Sequence, residues 1–248
     1  MVSSGSQKYQ NFHNWAKPLP EHFLRELNNR RRSYFINDMV GHDPKRYDEV
    51  AFGNVSMRLE SDFKSERKFA ITGTNTGKIP FLSNYHYAVI LKVLANLNSV
   101  LSEGPTRPSS ECMTHDIVYE LVPEANFVFH PHFWGWKLFK YLDLPTTKEG
   151  VDFGTPEMRE EFEKLLYYPE VRKNGIIIMG GHEDGVVTWG KTAEEAERRM
   201  KNYVGLCEKI VRQLYSSLTL PEIVDKLHYE MREPLEVTPE KKLIVASI

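Results

Sequence analysis

The pattern with the clearest chemical content is His130-Pro131-His132. The run from Phe127 to Phe133 is built of aromatic and valine side chains and reads as a strand. Side chains two apart on a strand share a face, so both imidazoles point the same way and can bind one metal ion. Pro131 cannot donate to a ladder, so the strand lies at an edge or ends there. The competing reading is two partly buried histidines flanking a proline by chance. A bound metal that keeps a position open to substrate needs a third protein ligand. Gly181-His182-Glu183-Asp184-Gly185 offers His182, in a tight turn between the apolar segments Gly175 to Met179 and Gly185 to Trp189. An ordinary polar turn with an exposed histidine is the alternative.

A second set of residues offers anion binding and proton transfer. Ser109 and Ser110 are N-cap candidates for a helix over Glu111 to Leu121. Their hydroxyls and the free N–H groups of a helix start suit phosphate or carboxylate. Glu111 then sits in the first turn beside that site, although an ordinary cap with a dipole-complementing Glu fits the same residues. Thr72-Gly73-Thr74-Asn75-Thr76-Gly77 can cradle an anion with backbone donors, or serve only as a flexible turn. His13, His22, His42, His86 and His228 show no ligand spacing, and Phe133-Trp134-Gly135-Trp136 reads as core.

The elements that must position these residues alternate along the chain. Helices are expected over Glu21 to Asp38, from Thr155-Pro156-Glu157, from a capping box at Thr192 to Glu195 reaching Tyr215, and over Pro221 to Met231. The first carries the apolar stripe Phe23, Leu24, Leu27, Tyr34 and Phe35. Strands are expected at Phe69 to Thr72, and at Tyr87 to Leu94 and Asn98 to Leu101 as a hairpin. This interleaving predicts α/β layers around a mixed or largely antiparallel sheet.

The 248 residues are 41% hydrophobic and 27% charged with a formal net charge of -2, as expected of a soluble globular protein. Arg30-Arg31-Arg32 is short and helical, a solvated face rather than a nucleic-acid patch; it could also serve anionic substrates, although position alone does not argue for that. No apolar run approaches the ~20 residues of a membrane span, and the polar start lacks a signal-peptide core. Two cysteines, Cys112 and Cys207, define no disulfide framework and suit a reducing cytoplasm. Residues 1–18 are expected as a flexible N-terminal segment, 19–231 as one domain and 232–248 as a tail. No Gly-x-Gly-x-x-Gly or Walker-type loop is present.

In order, Gly53-Asn54-Val55-Ser56, Ile71-Thr72-Gly73-Thr74, Pro108-Ser109-Ser110-Glu111, Phe129-His130-Pro131-His132 and Gly181-His182-Glu183-Asp184-Gly185 with Gly190-Lys191-Thr192 resemble the class II aldolase/adducin-like family over roughly Asp48 to Lys209. Gly154-Thr155 is a softer match. The resemblance implies a three-layer α/β/α domain with a central, mostly antiparallel sheet. It implies a divalent ion, commonly Zn2+ with Mn2+, Co2+, Ni2+ or Fe2+ as alternatives, held by His130, His132 and His182. Glu111 becomes the catalytic acid–base group. Asn54, Thr72, Gly73, Thr74, Ser109 and Ser110 become substrate-binding residues, and His115 a partner to the ligands or a substrate contact.

The implied reaction is aldol-type cleavage or formation of a C–C bond in a small sugar-like substrate, through a metal-stabilised enediolate. Sugar-phosphate epimerase, dehydratase and decarboxylase activities are alternatives within the family, and a non-catalytic adducin-like interaction protein is the alternative from another class. The resemblance also implies a cytoplasmic homotetramer in carbohydrate metabolism, with active sites at subunit interfaces and no nucleic-acid or membrane partner. Asp152 and Tyr229 are candidates for a second catalytic group. One departure bears on substrate: the Thr72 to Gly77 turn is two residues longer than the usual Thr-x-Thr-Gly. A carboxylate or an unphosphorylated substrate therefore stays open beside a phosphate.

Overall fold

The computed structural model describes residues 8–45, 47, 50–59, 68–214 and 219. The helix expected at Pro221 to Met231, Tyr229 and the C-terminal tail lie outside the described residues. The strands are β1 (Gln10–Trp15), β2 (Asn54–Arg58), β3 (Phe69–Thr72), β4 (Tyr87–Leu94), β5 (Ser99–Gly104), β6 (Phe127–His130), β7 (Ile176–Ile178) and β8 (Val186–Gly190). The helices are α1 (Glu21–Ile36), α2 (Cys112–Leu121), α3 (Pro156–Leu166), α4 (Pro169–Asn174) and α5 (Ala193–Leu214).

The eight strands form one sheet in the order β1-β5-β4-β3-β2-β6-β8-β7. Every named pairing is antiparallel except β1 with β5. The two-residue period of each strand divides its apolar side chains between two cores. Ala70, Phe127, Phe129, Ile176 and Ile178 join α1 and α5 residues such as Leu24, Leu27, Ala196 and Met200. Phe69, Ile71, Val128 and Ile177 join α2 and α3 residues such as Met113, Ile117, Met158 and Phe162 on the other face. Both faces of the sheet are thus covered by helices, and three α/β/α layers result.

Local signals mark several element ends. The Thr155 hydroxyl accepts from Met158 N–H at 3.3 Å, with Pro156 in the first turn of α3. Thr192 accepts from Glu195 N–H at 3.1 Å at the start of α5, while the Glu195 carboxylate accepts from Lys191 N–H at 2.8 Å. The hairpin β4–β5 is joined by a 3-10 turn at Ala95–Leu97.

Two regions depart from expectation. Gln10–Trp15 falls in the segment expected to be flexible, yet it forms an edge strand in register with Ser99 to Gly104. Phe12 and Trp15 stay exposed, so the backbone ladder holds this strand with little side-chain burial, and no apolar alternation announces it. Arg31, expected on a solvated face, is only 2% exposed and turns inward from α1. Among the described residues no helix is long and apolar enough to cross a membrane.

Candidate active site

β6 is an interior strand that ends at His130, with Asn54 of β2 directly opposite. Pro131 therefore ends the strand rather than marking an edge, and its carbonyl still accepts from Val186 N–H at 3.0 Å. The chain runs on through His132, which bridges Gly185, and Phe133 N–H donates to Asp184 O at 2.8 Å. These bonds stitch the β7–β8 hairpin turn to the segment after β6. Inside that turn His182 N–H donates to Met179 O and Gly185 N–H to His182 O. Gly181 is required there: a Cβ would lie 2.0 Å from Val151 O.

The result brings His130, His132 and His182 together across about fifty residues of sequence. Their potential ligand atoms all lie within 4.8 Å of one another. Their ring centroids are 5.0, 5.1 and 4.7 Å apart in the pairs 130–132, 130–182 and 132–182. His130 Nδ1 lies 3.1 Å from Val186 O, which only a protonated Nδ1 can satisfy, so Nε2 keeps its lone pair. Burial drives the His130 pKa down to about 4 and that of His182 well below the ordinary value, with the neighbouring His130 and Lys8 adding to the latter. Neutral imidazoles with lone pairs in a common space suit a divalent ion. The Phe153 ring lies 4.4 Å from the His182 ring and carries the Lys8 ammonium 3.7 Å from its own centroid.

Glu111 occupies the N-cap position of α2, just ahead of the helix rather than inside its first turn. Ser109 Oγ accepts from Glu111 N–H at 3.3 Å, so Ser109 organises the chain entering the helix. The carboxylate is 2% exposed. One oxygen accepts from the Thr114 hydroxyl at 2.8 Å, while Oε1 is buried with no hydrogen-bond partner among the described residues. Burial pushes the carboxyl up to about 7; the Thr114 bond and the Lys8 charge work against that rise, and Asp152 adds to it.

The three histidines and Glu111 line one cavity of about 430 Å³ with Asn54, the Gly73 to Gly77 turn, Ser109 and Ser110. Thr72 stands apart: it is buried in β3, and its hydroxyl accepts from Val55 N–H at 3.2 Å. His115 is likewise outside the cavity lining. Its Nδ1 is 2.6 Å from Ser56 Oγ, which is also 2.7 Å from Tyr119 OH, a wholly buried chain behind β2. Asp152 has a largely exposed carboxylate paired with Lys8 at 2.6 Å. Sequence reading missed Tyr47 and Phe153, both in the cavity wall. Tyr47 packs edge-on to His132 at 4.8 Å and donates to Asp184 Oδ2 at 2.7 Å. Neither sits in a periodic element, so only their being large aromatics beside motif residues could have flagged them.

Residues 43–211 match the Class II Aldolase and Adducin N-terminal domain family. The chain belongs to this family. Its class II aldolase fold is shared with a sugar-phosphate aldolase from Thermotoga maritima, with a TM-score of 0.59 at 17% identity, covering 80% of this chain and 97% of that one. An L-fuculose-1-phosphate aldolase from Thermus thermophilus superposes with a TM-score of 0.56 at 17% identity, covering 81% of this chain and 98% of that one. By sequence, the chain is 27% identical over 133 residues to a methylthioribulose-1-phosphate dehydratase from Citrobacter koseri. That match spans 44% of this chain and 64% of the relative's length.

Proposed function

We propose that this class II aldolase family member is a divalent-metal-dependent lyase that breaks or makes a C–C bond in a small phosphorylated hydroxy-carbonyl substrate. The observation that carries the reading is the convergence of three histidines and one buried carboxyl group on a single cavity. His130, His132 and His182 would hold the ion, zinc first among the candidates. When bound, the ion supplies a Lewis acid for a substrate carbonyl oxygen.

The remaining work falls to the chain's own residues. Glu111, with a carboxyl near 7, is suited to take and return a proton at neutral pH, and its unpartnered Oε1 would carry that proton. Ser110 and the Gly73 to Gly77 turn supply hydroxyl and N–H donors for an anionic group at the other part of the cavity wall. Tyr47, Phe52 and Phe153 wall the cavity with aromatic rings that limit water.

Dehydration of a phosphorylated ketose is the second reading, favoured by the dehydratase relative. Both reactions use a proton carrier beside a polarised carbonyl, so one experiment separates them. Metal-loaded protein is incubated with phosphorylated ketoses and the products are resolved by mass. Two fragments, an aldehyde and a shorter carbonyl compound, identify cleavage. An intact carbon skeleton lacking one water identifies dehydration. No turnover together with no bound metal returns the chain to the adducin-like interaction role. Light scattering tests the homotetramer that accompanies the enzymatic reading.

A further inference from the structure

Arg31 is a buried cation with no carboxylate among its hydrogen-bond partners in the described residues. Its guanidinium instead donates to four carbonyls of one short segment: Thr76 O at 3.0 Å, Gly77 O at 2.9 Å, Ile79 O at 2.5 Å and Pro80 O at 3.1 Å. Burying a charge is expensive unless its donors are satisfied, and here backbone carbonyls of one turn satisfy them. The same turn forms part of the cavity wall through Gly73 to Gly77.

The turn is pinned at its two ends and open in its middle. Gly73 N–H donates to His86 O, Thr74 N–H to Arg107 O and Ile79 N–H to Thr76 O. Thr76 closes the turn over Thr74 and Asn75 back onto Gly73 O, and among the described residues the N–H groups of Asn75, Gly77 and Lys78 have no backbone acceptor. A trans peptide is planar with its C=O and N–H antiparallel. Once Arg31 draws the Thr76 and Gly77 carbonyls toward itself, the N–H groups of Gly77 and Lys78 must face the opposite way. Asn75 takes a positive φ of 59°, which turns the chain sharply at the cavity wall. Gly77 packs too closely for any side chain, since a Cβ would lie 2.5 Å from Gly41 O.

We propose that Arg31 is a positioning residue for the anion-binding part of the site: by holding the Thr76 and Gly77 carbonyls it turns the peptide planes at Gly77, in the cavity wall, so that the Gly77 N–H faces a tetrahedral oxyanion such as a phosphate ester, and it places a positive charge behind that turn. The inference rests on the phosphorylated-substrate reading above. A lysine could not replace Arg31, because an ammonium lacks the planar fork that spans four carbonyls.

The test uses zinc-loaded full-length protein, with inorganic phosphate as probe. Phosphate affinity is measured by calorimetry, and zinc per chain by metal analysis, for the wild type, Arg31→Lys and Arg31→Gln. The expected result is phosphate binding weakened roughly tenfold to a hundredfold in Arg31→Gln and less in Arg31→Lys, with zinc content retained in both. Unchanged phosphate affinity in both variants overturns the positioning role and leaves the phosphorylated-substrate reading standing. Joint loss of zinc and phosphate in both variants also overturns it, because Arg31 then only holds the fold. A wild type that binds zinc but no phosphate defeats the phosphorylated-substrate reading and this inference with it.

Discussion

Glu111 and Thr114, one helical turn apart, form a hydrogen bond in which the threonine hydroxyl serves one carboxylate oxygen at 2.8 Å and leaves the other buried and unserved. The chemistry of this half-satisfied carboxylate depends on its surroundings. Thr114 works against the effect of burial. Thr114→Val keeps the shape and removes the donor. The carboxyl then moves further above 7, and the acidic limb of the kcat/KM profile shifts to higher pH. A pH–rate profile identical to that of the wild type counts against Glu111 as the titrating base.

Glu111→Gln removes the titration while keeping the side-chain shape. Activity is expected to fall by roughly a hundredfold to ten-thousandfold with metal content retained. Stability carries its own signature. The folded carboxyl is raised to about 7 from an ordinary 4.5, so its favourable contribution is complete below 4.5 and is lost as pH rises through 7. In metal-free protein, the stability of the wild type relative to Glu111→Gln therefore declines between those two values. The total decline is on the order of 3 kcal/mol. Urea unfolding at a series of pH values measures it, and a flat difference would contradict the buried, raised carboxyl.

His130→Ala and His182→Ala each remove one imidazole from the cluster. Purified without a histidine tag, the wild type is expected to bind about one divalent ion per chain and each variant to lose it. Metal analysis after dialysis reads this directly. Retention of a full complement in both variants would falsify the shared site.

Phe153 holds His182 by ring contact, not by a hydrogen bond. Phe153→Ala frees that imidazole to rotate, so zinc affinity should fall roughly tenfold in chelator competition. Phe153→Leu, which keeps apolar bulk, should recover part of the loss. If affinity does not change in either variant, the hairpin backbone alone orients His182.

Much of the fold was legible because local periodicity reports which face a side chain takes. The alternation through Phe127 to His130 correctly separates Phe127 and Phe129 from Val128, and the caps at Thr155 and Thr192 mark true helix starts. Proline at 131 signals that a strand stops, and it stops at His130. From these residues and their order, the sequence by itself determined the layered α/β class, several helix starts, and which side chains were candidates for chemistry. It could not decide which segments meet. That His182 reaches His130 depends on bonds from Phe133 to Asp184 and from Val186 to Pro131, made between segments some fifty residues apart. Gln10–Trp15 joins the sheet through a ladder to β5 with little burial, leaving no pattern to read. Arg31 looks like any charged helical residue until the Thr76 to Pro80 turn supplies its carbonyls. The raised carboxyl of Glu111 likewise comes from the packing that buries it. Sequence patterns encode short-range geometry, whereas burial, desolvation and convergence are properties of the packed whole, and only the tertiary structure settles them.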